Sequence, residues 1–326
     1  MTLFSANWQK GLIGVAAAMA LSACGGGTKT EVDSCKASGT FSSVIAPTFL
    51  ASQNDSGAPV LSGVVATDGL NWFNFRRKQA GLSVLSRSSL IDKAAQNHSD
   101  YQNNNGVTHD EEAGKSGYTG TTLQERLSAA GYPATGTLNV WGEVISGTST
   151  NTGFYMAEEL VTAIYHRFVI FEPVFKEIGA GSATKNGYII FTSNFGAANG
   201  YGPGVGTGKL VSWPYTGQTN VPTNFFSDYE SPDPVPCKNE VGYPISVHAD
   251  IKTTVAVQSF SVREHGSSTD LAVQLLKNSD TDPHTPVSAA AIIPTDVLKS
   301  GTTYDVSFVG TVGSTPVTRS WSFTTK

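Results

Sequence analysis

The sequence predicts an α+β domain followed by an all-β sandwich, and three features predict it. Helical and strand-like patterns mix between Ala66 and Gly196, with the strands falling late, as in a layered domain that packs helices on a small sheet. A glycine-rich break, Ala197 to Gly208, then interrupts the pattern. Beyond it, short alternating runs rich in Val, Thr and Ser, separated by turn residues, replace helical periodicity, which points to a sandwich.

The elements follow in order. Leu70, Phe73 and Arg77 lie three to four apart on a first helix closed by Gly81. Ser88 or Ser89 caps a second carrying Leu90, Ala94, Ala95, His98 and Tyr101. Thr122-Leu123-Gln124-Glu125 is a capping-box pattern for a third, ending at Gly131. A fourth is expected from Phe154 to Arg167, with Met156, Leu160, Ala163 and Ile164 on its apolar side. Strands are expected at Asn139–Ser146, Phe175–Gly181 and Gly187–Gly196. After the break they are expected at Thr254–Val262, Leu271–Leu276, Tyr304–Val312 and Thr315–Thr325, the last burying Trp321 and Phe323.

The amino terminus sets the expected compartment. Lys10 and the terminal amine precede an apolar run, Gly11 to Leu21, as long as a signal-peptide core and too short to span a bilayer. Leu21-Ser22-Ala23-Cys24 resembles a bacterial lipobox, so residues 1–24 are expected to be a lipoprotein signal peptide with lipidation on Cys24. An ordinary signal peptide with a chance Cys is the alternative. Gly25, rather than Asp, after that Cys resembles the pattern of proteins sent to the outer membrane. Residues 25–59, rich in Gly, Ser, Thr and Ala, read as a flexible tether.

Of three cysteines, setting Cys24 aside for lipidation leaves Cys35 and Cys237. In an oxidising compartment they are expected to form a disulfide, two free thiols being the alternative. The net charge of −5, with no basic block, argues against a nucleic-acid partner. Charged residues make up 14%, below the roughly 25% typical of soluble domains. Gly, Ser, Thr and Asn fill the gap, as is common in exported bacterial proteins.

The informative stretch runs from Leu70 to Gly196. Asn74-Phe75-Arg76-Arg77-Lys78-Gln79-Ala80-Gly81-Leu82 leads to Leu90, Ala94-Ala95 and His98-Ser99. Thr108-His109, Gly131-Tyr132, Gly142-Glu143, Tyr165-His166-Arg167, Pro173 and Ile178-Gly179-Ala180-Gly181 follow. In order and spacing this series resembles bacterial members of the CAP superfamily (the cysteine-rich secretory, antigen 5 and pathogenesis-related 1 group). The resemblance implies an α-β-α sandwich over residues 60–198, with a cleft lined by two His and two acids. The first His matches His109 and the second His166. The acid of the family's G-E-N element matches Glu143, although Val144 replaces the Asn. The fourth member falls on Ala163, and neither Glu158 nor Glu159 is a clean match, so a three-member site is expected.

Two imidazoles and a carboxylate converging in a cleft suit a divalent cation such as zinc, with a position left open for water or a partner. Each residue also has a plainer reading. His109 lies in the polar run Thr108-His109-Asp110-Glu111-Glu112 and reads equally as a solvated loop residue. His166, near the end of the expected fourth helix, would suit the negative end of its dipole. A buried Glu143 would need a partner. His98 reads as a core residue or a support for the cleft, Tyr165 and Arg167 as packing or surface residues, and His248, His265 and His284 have no ligand spacing.

The second half, residues 209–326, resembles bacterial Ig-like modules. The residues that carry this are Trp213-Pro214-Tyr215-Thr216-Gly217, Glu230-Ser231-Pro232-Asp233-Pro234, Val241-Gly242-Tyr243-Pro244 and Trp321-Ser322-Phe323-Thr324-Thr325. The resemblance implies spacing or contact rather than chemistry.

The expected function is an envelope-anchored, extracytoplasmic protein held to the membrane by lipid. Its His/Glu cleft would bind a small molecule, lipid or protein partner, with a divalent metal in the same site. A metal-dependent hydrolase using that cleft and a purely structural surface protein are the alternatives. No HExxH, GxSxG or C-x-x-C occurs, and with the fourth acid missing this favours binding over catalysis.

Overall fold

The computed structural model describes residues 55–135, 138–149 and 152–326, together with the backbone of Ala18–Ala20. Cys24, Cys35 and the expected tether up to residue 54 lie outside the described residues. The helices and strands of the first half are β1 (Ala18–Ala20), α1 (Val65–Gln79), β2 (Ser86–Arg87), α2 (Ser89–Asn105), α3 (Leu123–Ala130), β3 (Val140–Thr148), α4 (Gly153–Thr162), α5 (Ile164–Ile170), β4 (Glu177–Lys185) and β5 (Tyr188–Ala197). The sheet order is β1-β3-β5-β4-β2. β5 lies between β3 and β4, antiparallel to both, and the short β1 and β2 run parallel at the edges.

Helices cover both faces because the strands carry glycine where a helix must come close. A Cβ on Gly181 would fall 2.3 Å from the Gln96 backbone, and one on Gly179 2.2 Å from Asp92 N, so α2 lies directly on β4. On the other face Phe73 of α1 packs on Phe191 and Phe195 at 5.9 and 5.8 Å between ring centroids. A Cβ on Gly142 would meet Val169 of α5 at 2.7 Å. The α+β class and the α-β-α layering are as expected.

The fourth helix differs from expectation. The periodicity of Phe154–Arg167 predicts one helix, but the chain breaks at Ala163, whose ψ of 119° is extended. Two shorter helices result, and the new start of α5 is stabilised by a carboxylate brought from far along the chain.

The second half is all β. Its strands are β6 (Val211–Trp213), β7 (Asn224–Phe226), β8 (Glu240–Gly242), β9 (Ile245–His248), β10 (Val255–Glu264), β11 (Val273–Lys277), β12 (Ala289–Pro294), β13 (Thr303–Val312) and β14 (Thr315–Thr324). They form sheets ordered β11-β12-β9-β6 and β10-β13-β14, and the pair β7-β8. Trp321 and Phe323 are buried, as their alternation predicts, and Phe260 packs on Phe308 edge-on at 5.4 Å.

The two halves share one continuous core. Trp213 meets Phe171 edge-on at 5.2 Å. Arg167, expected to be a packing or surface residue, is fully buried between the halves. It donates to the carbonyls of Val161, Thr162 and Pro244 and to Ser246 Oγ, at 2.6, 3.2, 2.7 and 3.3 Å. The glycine-rich stretch is fastened as well, since the Asp250 carboxylate accepts from Val205 N and Gly206 N at 2.6 and 3.0 Å.

Candidate functional site

The site is assembled around Glu143, in the middle of β3. Its cross-strand neighbour is Asn194 of β5, so the two side chains share a face. That face is covered by α2 and α3. From α3, Arg126 NH2 donates to both Glu143 oxygens at 2.9 Å, while NH1 donates to the carbonyls of His109 and Thr121 at 2.7 and 3.2 Å. One guanidinium thus fixes the carboxylate and the backbone of the residue that contacts it. The helix that supplies Arg126 starts as expected: Thr122 Oγ1 accepts from Glu125 N, Glu125 Oε2 accepts from Thr122 N, and Gly131 closes the helix at φ 95°.

His109 donates from Nδ1 to Glu143 Oε1 at 2.9 Å. An ionised carboxylate only accepts, so this ring carries its proton on Nδ1 and turns a bare Nε2 away from Glu143. The loop bearing His109 is held by His98, which is fully buried. His98 Nδ1 donates to Glu111 Oε1 at 2.8 Å, and its Nε2 lies 2.9 Å from the Thr108 carbonyl. His98 is therefore a loop support, in line with its sequence reading.

Burial alone would push the Glu143 carboxyl up. Arg126, with His98 and His109, outweighs it and holds the group at about 2. For His109, burial dominates and lowers its basicity despite Glu143, and positive charge on His166 or His98 lowers it further. His109 and His166 are thus electrostatic neighbours.

His166 makes no hydrogen bond with His109 or Glu143. It lies in the first turn of α5, the opposite helix end from the one its sequence position suggests, and is fully buried. Its Nδ1 is 2.9 Å from Oε1 of Glu230, a residue of the second half. Glu230 also accepts from the backbone N–H groups of Ile164, Tyr165 and His166, at 2.9, 2.7 and 3.1 Å. These bonds cap α5, whose own N-cap residue, Ala163, has no side-chain acceptor.

The buried polar atoms left without a hydrogen-bond partner include His109 Nε2, His166 Nε2 and both amide atoms of Asn194. Glu143 is different, because Arg126 and His109 engage its oxygens. Both imidazoles are backed by a carboxylate, an arrangement common among metal-ligating His residues. Glu143 fits as a support for His109. Among the described residues no group of three or more His, Cys, Asp and Glu is placed to hold a metal.

The acids considered for the fourth place lie elsewhere. Glu158 accepts from Trp72 Nε1 and from Arg76, and burial pushes Glu159, beside Tyr155, up to about 7. A cavity of about 460 Å³ lies alongside the His109 loop, lined by Tyr101, Thr108, Asp110, Glu111, Glu112 and Thr121 among others. His109, Glu143 and His166 do not line it; His166 is fully buried, and the His109 side chain keeps 16% of its surface exposed although its Nε2 is covered.

Sequence reasoning missed Arg126 and Glu230. Arg126 could have been found as a charge beside Leu123 and Leu127 on the buried side of a well-capped helix. Glu230 gave no local signal.

Residues 70–195 match the CAP family model, described as the cysteine-rich secretory protein family. Similar solved structures include an extracellular protein containing a SCP domain from Bacillus anthracis str. Ames, at 22% identity and TM-score 0.33, covering 40% of this chain and 39% of that one. An outer surface protein from Borrelia burgdorferi shows 19% identity and TM-score 0.32, covering 39% of this chain and 87% of that one. A venom allergen-like protein from Schistosoma mansoni shows 11% identity and TM-score 0.30, covering 43% and 93%. No curated protein matches the chain. Among the described residues no helix is long and apolar enough to cross a membrane.

Proposed function

We propose that this protein is an extracytoplasmic lipoprotein, anchored to the cell envelope through Cys24, whose CAP domain binds a ligand at a cleft centred on His109 and His166. The observation that carries the reading is the pair of buried, unpartnered Nε2 atoms on rings fixed by carboxylates. Buried donors and acceptors are seldom left unmatched without a reason. The ligand is a small molecule, a lipid or a partner side chain. A divalent cation such as zinc, held between the two rings, would supply an electrophilic position for a ligand oxygen or nitrogen. The second half, read as an Ig-like module, would extend the domain from the envelope. Cys237 would form a disulfide with Cys35.

Binding is favoured over hydrolysis by a specific contact. Glu143, the carboxylate nearest the His109 ring, is gripped by Arg126 and held low, so it is poorly suited to take a proton from water.

Zinc titration of the full chain tests the site, with stoichiometric binding expected in the wild type and lost in His109→Ala and His166→Ala. No binding in the wild type would remove the metal from this reading. Mass spectrometry of the mature amino terminus tests the lipid on Cys24. A non-reducing peptide map without a Cys35–Cys237 species would reject that pairing.

A further inference from the structure

We propose that Glu230, from the second half of the chain, is the positioning residue for His166 and completes the cleft as its fourth member. This rests on the binding reading above and assigns part of that site to a different domain. The CAP pattern places the fourth member at Ala163, which carries no functional group. The Glu230 carboxylate arrives beside that gap, bonded to the three residues that follow Ala163 and to the His166 ring.

The geometry specifies a protonation pattern. Oε1 of Glu230 receives Tyr165 N, His166 N and His166 Nδ1 at 2.7, 3.1 and 2.9 Å, and Oε2 receives Ile164 N at 2.9 Å. With backbone donors on both oxygens the carboxylate acts as an acceptor, so a ring proton sits on Nδ1 and Nε2 is turned away from the carboxylate. Glu143 imposes the same arrangement on His109. The two rings are therefore prepared alike, one by β3 of the CAP sheet and the other by a loop of the β half.

That loop is built to hold its place. Glu230 N donates to Ser227 O at 3.0 Å, Ser227 N donates to Asn239 O at 2.8 Å, and Ser227 Oγ donates to Lys238 O at 2.8 Å. These bonds tie the turn Ser227–Tyr229 to the segment entering β8. Tyr165 and Arg167, on either side of His166, also bond across to the β half, through Asp282 and Pro244. The orientation of His166 is thus set mainly by the second domain.

The test uses the full chain, labelled with ¹⁵N-histidine. Long-range imidazole correlation spectra read the tautomer of His166, its signals assigned by their loss in His166→Gln. The wild type is expected to show the Nδ1–H form. Glu230→Ala is expected to move the ring to the Nε2–H form or to an exchanging mixture, and to weaken zinc binding about 10- to 100-fold. Glu230→Gln, which keeps one acceptor oxygen, is expected to fall between the two. A wild-type Nε2–H ring overturns the proposal even if Glu230→Ala fails to fold. So does a folded variant, Ala or Gln, with an unchanged tautomer and unchanged zinc affinity. If the wild type binds no zinc but its ring depends on Glu230 as described, the metal reading fails and the positioning role stands.

Discussion

One guanidinium nitrogen of Arg126, Nη2, bridges both oxygens of Glu143 inside the protein, both contacts at 2.9 Å and both side chains fully buried. Such a pair is dangerous to break, because the survivor is left as an uncompensated buried charge. Arg126→Met is expected to destabilise the chain by about 3–5 kcal/mol in urea unfolding. Arg126→Lys is expected to recover only part of the loss, since an ammonium that reaches Glu143 cannot also hold the His109 and Thr121 carbonyls, which a second guanidinium nitrogen holds here. The double variant Arg126→Met, Glu143→Leu is expected to regain most of the stability while zinc binding stays weak, because His109 has lost its support. Equal stability of single and double variants would contradict this.

Acid should loosen the junction between the halves. His248 is buried against Phe168 and Phe171, and burial, helped by Arg167 and Arg77, pushes it down to about 3. The folded protein therefore keeps this ring neutral while the unfolded chain takes a proton below about 6.5. Its contribution is fully present above that pH and is lost as pH falls toward 3, by about 1.4 kcal/mol per pH unit at the steepest. His109, also lowered, adds in the same direction. Urea midpoints between pH 7.5 and 5 are expected to fall, and His248→Phe to flatten the curve. A parallel decline in that variant would reject the assignment.

Arg167 donates to three carbonyls and a hydroxyl between the halves. Arg167→Ala leaves those acceptors unmatched and is expected to cost about 3 kcal/mol or more. With one continuous core, the wild type is expected to unfold in a single calorimetric transition. Two resolved transitions in the wild type would contradict the shared core.

Gly181 is the point where α2 rests on β4. Gly181→Ala places a methyl 2.3 Å from the Gln96 backbone, and is expected to cost about 3 kcal/mol by overpacking. Gly202→Ala meets the carbonyls of Phe175 and Val174 at 2.9 Å and is expected to cost less, because that loop is not sandwiched between two elements. Comparable losses, measured as shifts in thermal midpoint, would weaken the packing account.

The first half was legible where residues act on near neighbours. The capping box at Thr122, the strands around Glu143 and the glycines of Ile178–Gly181 each carry a local physical signal. The contact between His109 and Glu143 followed from a resemblance spread over many weak pieces, since no short spacing joins residues 34 positions apart. The break at Ala163 was not legible, because the apolar pattern runs straight through it and its cause, Glu230, lies 67 residues after that position in the numbering. Arg167 was legible in part: packing and surface were both open readings, and its burial between the halves decides for packing. Several strands of the second half, such as Ala289–Pro294, are uniformly apolar and buried, so they show no alternation to detect.

The stretch from Ala197 to Gly208 has the composition of a hinge, yet Asp250 pins its backbone and Glu230 reaches past it into the helical half. Transplanting a different all-β half behind the helical half would therefore do more than change a spacer. Unless the newcomer brought an acid to the same spot, helix α5 would lose its cap and the residue 166 ring would be free to turn. Exchange of the β half is constrained at that one loop, whatever the remainder of the donated part looks like.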